Sequence, residues 1–156
     1  MSTGTGALGE SQFRVFGDNE AHEVKIPGLF IGSRTASEDL ASLQANGVTH
    51  ILSLNGADPA YPDKFEYKVA GVEEGEKMDE VVESSVQFIQ RALEKGGTVL
   101  AHCNGGGGRS GVVTIATTMR MRGMGLEEAH TEVRAIRPNV KPDLSFYANQ
   151  LEGWMP

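Results

Sequence analysis

The single cysteine of the chain, Cys103, stands between His102 and Asn104. Four consecutive glycines, Gly105 to Gly108, follow it, and the stretch leaves through Arg109-Ser110-Gly111. A glycine loses more conformational freedom on folding than any other residue, so four in a row imply a backbone that needs unusual dihedrals or close contact with a ligand. Five residues separate Cys103 from Arg109, enough for the chain to curl into a cup whose N–H groups point inward at the start of a helix. Such a cup attracts anions through its N–H groups and the helix dipole. The Arg109 guanidinium adds a planar fork that matches two oxygens of a phosphoryl group. The same dipoles and positive charge favour a thiolate at Cys103, placing a nucleophile beneath a bound phosphoryl group. Alone, a cysteine beside a histidine reads as a buried hydrophobe; the glycines and the arginine reverse that reading.

Two other glycine motifs fit less well. Gly106, Gly108 and Gly111 spell G-x-G-x-x-G, but a dinucleotide site needs an acidic residue at the end of a second strand about twenty positions on, and Glu132 falls inside an amphipathic helix. The phosphate-binding G-x-x-x-x-G-K-[ST] pattern would require Lys at Arg109 and Gly at Cys103.

The loop must be positioned by its flanks. Thr98 to His102 reads as a short strand feeding the loop, and Ser110 to Arg122 as a helix leaving it. Upstream, residues 24–32 hold a strand broken at Pro27-Gly28, and Ser37 can cap a helix running to Asn46. Val48 to Asn55 is a buried strand, and a further strand lies near Phe65 to Val72. Val82, Val86, Ile89 and Leu93 give Asp79 to Lys95 the apolar stripe of an amphipathic helix. Helices over Leu126 to Arg137, stopped by Pro138, and over Asp143 to Trp154 complete the chain. Strands alternating with helices predict an α/β domain with one central mixed sheet of about four to five strands flanked by helices. Residues 23–156 form that domain, behind a loose Gly-, Ser- and Thr-rich arm over 1–22.

Composition narrows the partners. The 156 residues suit one domain. Lys plus Arg number 14 against 21 Asp plus Glu, a net charge of −7, which argues against nucleic acid and anionic membrane surfaces. No apolar run is long enough to insert in a membrane, and the first residues lack the pattern of a secretory signal. With one cysteine there is no internal disulfide, so a reducing cytoplasmic or nuclear setting is expected. His22, His50 and His130 lack metal-ligand spacing. Arg120, Arg122 and Arg134 read as solvated helix-face charges, and Trp154 as a core anchor.

Residues 102–110 resemble the H-C-x-x-G-x-x-R-[ST] signature of cysteine-dependent protein phosphatases, and the flanks resemble the dual-specificity branch. LFIGSRTASEDLASLQANGVTHILSLN, over 29–55, is similar to that branch's first strand and its "GITH" block. MGLEEAHTEVRAIRPNVKPDLSFYANQLEGW, over 124–154, is similar to its C-terminal block, although Asp143 stands where the family commonly has Asn. The resemblance implies the dual-specificity phosphatase fold, a phosphocysteine mechanism, and neither metal nor organic cofactor. It implies Cys103 as nucleophile, Arg109 as phosphate clamp, and the N–H groups from Asn104 through Gly105, Gly106, Gly107 and Gly108 to Arg109 as oxyanion donors. Ser110 would assist thiolate release, and His102 would orient the loop. Phosphorylated proteins, bearing phosphotyrosine and phosphoserine or phosphothreonine, are the implied substrates, and a phosphate or sulfate is expected to occupy the loop. Lacking side chains beyond Asn104, the loop is expected to be more mobile than usual.

Ester cleavage also needs a proton donor. Relatives carry an aspartate on the loop before the long helix, and their spacing from the strand tyrosine, here Tyr67, falls on Glu74. Glu73 would point elsewhere, and Asp79 fits as the cap of the helix. Two alternatives stand beside the protein phosphatase reading. The C-N-G-G-G-G-R run is also similar to the C-x-A-G-x-G-R loop of glucan and lipid phosphatases, with Gly105 for Ala. A module that binds phosphoprotein without turnover would be expected to have lost Cys103 or Arg109.

Overall fold

The computed structural model describes residues 15–16 and 19–154. Its strands are β1 (Val15–Phe16), β2 (Ala21–Glu23), β3 (Leu29–Gly32), β4 (His50–Ser53), β5 (Glu66–Val69) and β6 (Val99–His102). Its helices are α1 (Arg34–Glu38), α2 (Leu40–Ala45), α3 (Asp79–Glu94), α4 (Arg109–Arg122), α5 (Leu126–Ile136) and α6 (Leu144–Leu151). The strands form one mixed sheet in the order β1-β2-β3-β6-β4-β5. The four strands from β3 to β5 run parallel, and β1 and β2 are antiparallel additions at one edge.

The sheet has six described strands, one more than the upper expectation, because it begins inside the stretch read as a loose arm. Ala21 is fully buried and pairs with Gly32, so this stretch belongs to the sheet despite its polar composition. The rest of that arm, residues 1–14 and 17–18, lies outside the described residues.

Both faces of the sheet are covered, which explains why its central strands read as unbroken apolar runs. Leu29, Ile31, Leu52, Val99 and Ala101 pack beneath α3, α4 and α6, whereas Phe30, Ile51 and Leu100 point to the opposite core with Leu43 and Phe65. The parallel strands end together at one edge, Gly32 and Ser53 both opposite His102. Ligands of open α/β sheets bind outside such carboxyl ends.

Two helix predictions change. The helix expected over Ser37 to Asn46 is two short helices, because Asp39 leaves helical geometry and caps the second by accepting a hydrogen bond from Ser42 N. Ser33, not Ser37, caps the first by accepting from Ala36 N. Asp79 is not the cap of α3: Met78 occupies that position without a side-chain hydrogen bond, and Asp79 sits in the first turn, where its charge suits the helix dipole.

Candidate active site

Strand β6 delivers Cys103 to the carboxyl end of the parallel strands, and α4 begins six residues later at Arg109. Residues 109–118 of α4 are buried on every side, which fixes the helix start rigidly against the core. Cys103 is 2% exposed and Ser110 fully buried. The Cys103 Sγ lies 3.2 Å from Ser110 Oγ and receives Ser110 N–H at 3.5 Å. Burial pushes the Cys103 thiol up, but hydrogen bonds from the Ser110 hydroxyl and from the N–H groups of Ser110, Gly106 and Gly107 outweigh it, and the net shift is downward. The sulfur therefore already sits among N–H donors, the environment of a thiolate.

The outer side of the loop explains how those donors are aimed. In a trans peptide the carbonyl of one residue and the N–H of the next point in opposite directions, and no described peptide bond is cis. Asn104 O accepts from Arg34 N at 3.0 Å. Gly105 O accepts from Arg137 Nη2 at 3.1 Å and Asn139 Nδ2 at 3.3 Å. Gly106 O accepts from Arg137 Nε at 2.9 Å, and Gly107 O from the Tyr147 hydroxyl at 2.6 Å. Four successive carbonyls held outward turn the N–H groups of Gly105 to Gly108 inward. The mobility expected of a loop without side chains is thus countered from outside, by the Arg34 backbone of α1 and by side chains of α6 and of the α5–α6 connection.

The four glycines have separate reasons. Gly106 has φ +80°, and a Cβ there would strike the Arg137 guanidinium and lie 2.7 Å from the Gly32 carbonyl carbon. A Cβ at Gly107 would overlap the Asn139 carbonyl oxygen. Gly105 has nothing within 4 Å, and Gly108 meets only the end of the Lys141 side chain at 3.5 Å. Close approach therefore explains the middle two alone.

Glu74, Cys103, Arg109, Lys141, Phe146 and Gln150 line one cleft. Arg109 is 7% exposed and donates from Nη1 to Val72 O at 2.7 Å, tying the arginine to the loop that carries Glu74. Gln150 grips the same loop further on, accepting from Met78 N at 2.9 Å and donating to Glu76 O at 2.8 Å. Glu74 and the positive-φ Gly75 span the gap between these anchors. Neither Glu73 nor Asp79 lines the cleft; Asp79 pairs with Lys77 at 3.8 Å instead.

His102, buried beside Cys103, donates from Nδ1 to Cys103 O at 3.2 Å, since a carbonyl can only accept. Burial lowers its pKa, against the opposing effect of that hydrogen bond, which favours the neutral imidazole. Among the described residues no three His, Cys, Asp or Glu side chains converge to hold a metal. A roomier hollow beside α5 is lined by Glu127, Glu128 and Glu132, which would repel a phosphate.

Arg137, Asn139, Tyr147 and Gln150 were not read from the sequence as site residues. The only visible signal was the Arg137-Pro138 helix stop, and nothing in periodicity turns that arginine inward. Arg120 and Arg122, read as solvated charges, pair with Glu83 and Glu132 at 2.8 and 3.3 Å.

Comparison with known proteins agrees with this geometry. Residues 29–154 match the family model of the dual specificity phosphatase catalytic domain. Dual specificity protein phosphatase 1 of Arabidopsis thaliana is 35% identical over 136 residues, covering 85% of this chain and 69% of that protein. Dual specificity protein phosphatase 2 of Homo sapiens is 33% identical, over 81% of this chain and 41% of that protein. The crystal structure of DUSP15 superposes with a TM-score of 0.75 at 27% identity, over 83% of this chain and 85% of that one. That of human tyrosine phosphatase-like serine/threonine/tyrosine-interacting protein gives 0.74 at 29% identity, over 83% and 91%.

Proposed function

The chain belongs to the dual specificity phosphatase family and is a cysteine-based protein phosphatase, and from that premise we propose that it hydrolyses phosphotyrosine and phosphoserine or phosphothreonine through a phosphocysteine at Cys103. The observation that carries this reading is the convergence, at the end of β6, of a sulfur held among N–H donors with Arg109 and Glu74 lining the same cleft.

The phosphoryl group enters with its non-bridging oxygens facing the N–H groups of residues 104–109. Arg109 forks two of those oxygens and holds them as they spread in the transition state, where such donors contribute most. The Cys103 thiolate attacks phosphorus in line, the bond to the ester oxygen breaks, and Glu74 gives its proton to the departing oxygen. Water then attacks the phosphocysteine, passing a proton to the Glu74 carboxylate. The sulfur–phosphorus bond breaks, and the Ser110 hydroxyl donates to the thiolate that leaves. Inorganic phosphate is the product and occupies the loop, where sulfate would mimic it. His102 keeps the first peptide of the loop in place throughout.

The relatives are named protein phosphatases, which favours phosphoproteins over glucan or lipid phosphates, and Cys103 and Arg109 are both present, as turnover requires. We place the reaction in the cytoplasm or nucleus, where a reducing environment preserves a lone reactive thiolate.

The test uses an activated aryl phosphate and a phosphoserine peptide. Cys103→Ser is expected to abolish both activities. Glu74→Gln is expected to slow the peptide by about 10²-fold while affecting the aryl phosphate far less, because a good leaving group needs little protonation. Wild-type protein inactive on both substrates would refute the proposal. If Asp79→Asn shows the leaving-group dependence and Glu74→Gln does not, the acid is Asp79.

A further inference from the structure

Arg137 is 1% exposed, and its side chain lies behind the glycine loop rather than in the cleft. Its guanidinium spans two structures far apart in sequence. On one side Nε and Nη2 donate to Gly106 O at 2.9 Å and Gly105 O at 3.1 Å. On the other, Nη1 donates to Asn19 O at 2.7 Å and to His22 Nδ1 at 2.9 Å. Asn19 has the left-handed φ of 65° and precedes β2, in which His22 pairs with Ile31 of β3. Asn19 and the β2 residue His22 thus meet the phosphate loop through one buried cation.

The two carbonyls held by Arg137 are those whose following N–H groups belong to Gly106 and Gly107. Those two N–H groups are among the causes that hold the Cys103 thiol's pKa down. Their direction is set by the opposite face of the same planar peptides. A guanidinium is suited to this position, since its rigid fork fixes two successive carbonyls at once and a lysine ammonium cannot. The approach is close enough that a Cβ at Gly106 would strike Nη2. Neither Arg137 nor His22 lines the cleft.

We propose that Arg137 is a positioning residue for the phosphate loop, and that through it Asn19 and the β2 residue His22 set the direction of the N–H groups facing Cys103. The proposal rests on the phosphatase reading above. His22 must present an unprotonated Nδ1 to accept from Arg137. Burial, followed by the Arg137 charge, lowers the His22 pKa and keeps that form.

The experiment compares wild type with Arg137→Lys, His22→Leu and His22→Asn, the last retaining an acceptor near the position of Nδ1. Four quantities are measured on each: kcat and KM for an aryl phosphate, competitive inhibition by inorganic phosphate, the pH midpoint of Cys103 alkylation by iodoacetate, and the melting temperature. Arg137→Lys is expected to lower kcat by about tenfold or more, the scale of misplaced transition-state donors. It should also weaken phosphate inhibition and move the alkylation midpoint upward. His22→Leu should shift the same three quantities in the same directions by less, and His22→Asn should restore them. A folded Arg137→Lys with wild-type phosphate inhibition and alkylation midpoint overturns the proposal. Should Arg137→Lys fail to fold, His22→Leu decides: a change in melting temperature alone, with the loop readouts unmoved, overturns it. A wild type that neither hydrolyses the ester nor binds phosphate refutes the phosphatase reading itself, and this inference with it.

Discussion

Replacing Gly107 with alanine tests whether the loop's shape comes from the segment packed behind it. The added Cβ would overlap Asn139 O, lie 2.5 Å from Asn139 C and approach Val140 N at 3.0 Å, all backbone atoms with no flexible end to move aside. Ordinary separations between carbon atoms are about 3.5–4.0 Å, so loop and segment must part by on the order of 1 Å. Overpacking of that kind costs about 1–3 kcal/mol of stability. The Gly107 carbonyl, held by Tyr147, and the Gly107 N–H, which faces the sulfur, cannot both keep their directions through the shift. Misplacing catalytic groups by about 1 Å costs on the order of 10²-fold in rate. Gly105→Ala is the control, because its Cβ would enter open space and its backbone needs no left-handed φ. Steady-state hydrolysis of an aryl phosphate, with thermal unfolding in parallel, should show Gly107→Ala down by about that factor and Gly105→Ala within about threefold of wild type. Equal losses in the two variants, or near-normal activity in Gly107→Ala, would show that the segment over 139–140 does not set the shape of the loop.

Arg109→Lys keeps the charge but loses both the fork and the tie to Val72 O, so kcat for an aryl phosphate should fall by more than about tenfold; a smaller loss in steady-state assays would remove Arg109 from the clamp role. The alkylation rate of Cys103 by iodoacetate should titrate below the ordinary thiol midpoint of ~8.5, since the donors around the sulfur outweigh its burial; a midpoint at or above that value would contradict the hydrogen-bond geometry. Outside the cleft, hydrogen bonds first from Arg120 and then from Trp154 hold the Glu83 carboxyl down to about 2 from an ordinary value of 4.5. A depressed carboxylate contributes stability that is present above pH 4.5 and lost as pH falls through 2. Glu83→Gln should therefore flatten the fall of melting temperature across that window, modestly because the group is exposed to solvent, and an unchanged slope would exclude the contribution.

Cys103 and Arg109 are legible in the sequence because both sit in one local run, where spacing alone fixes a loop between a strand and a helix. The central strands were legible for a related reason: burial on both faces leaves Leu29 to Ile31 and Val99 to Ala101 unbroken by polar residues. What escaped was long-range. Arg137 is 31 residues from Gly106 and 115 from His22, and no periodicity shows a charged residue turning inward. The Gly-, Ser- and Thr-rich composition of the first residues concealed β2, whose pairing is supplied by β3 rather than by intrinsic propensity. Asp39 was missed as a helix break because the apolar spacing of Leu40 and Leu43 fits one helix as well as two. Glu74 was reached only through the family's spacing. Its neighbourhood holds five acids within eight residues, and only the fold, by gripping Val72 and Met78, selects which of them lines the cleft.

In the proposed mechanism Cys103 carries the phosphoryl group between substrate and water. Rapid acid quench of the protein during turnover of an aryl phosphate, followed by peptide mass analysis, measures this directly. Ser110→Ala is the variant to use, since weaker stabilisation of the departing thiolate lets the intermediate accumulate. One phosphoryl group should appear on the peptide containing Cys103, labile in the manner of a thiophosphate, and Cys103→Ser should show neither label nor turnover. A phosphoryl group on any other residue of active protein, or full hydrolysis by Cys103→Ser, would contradict the account.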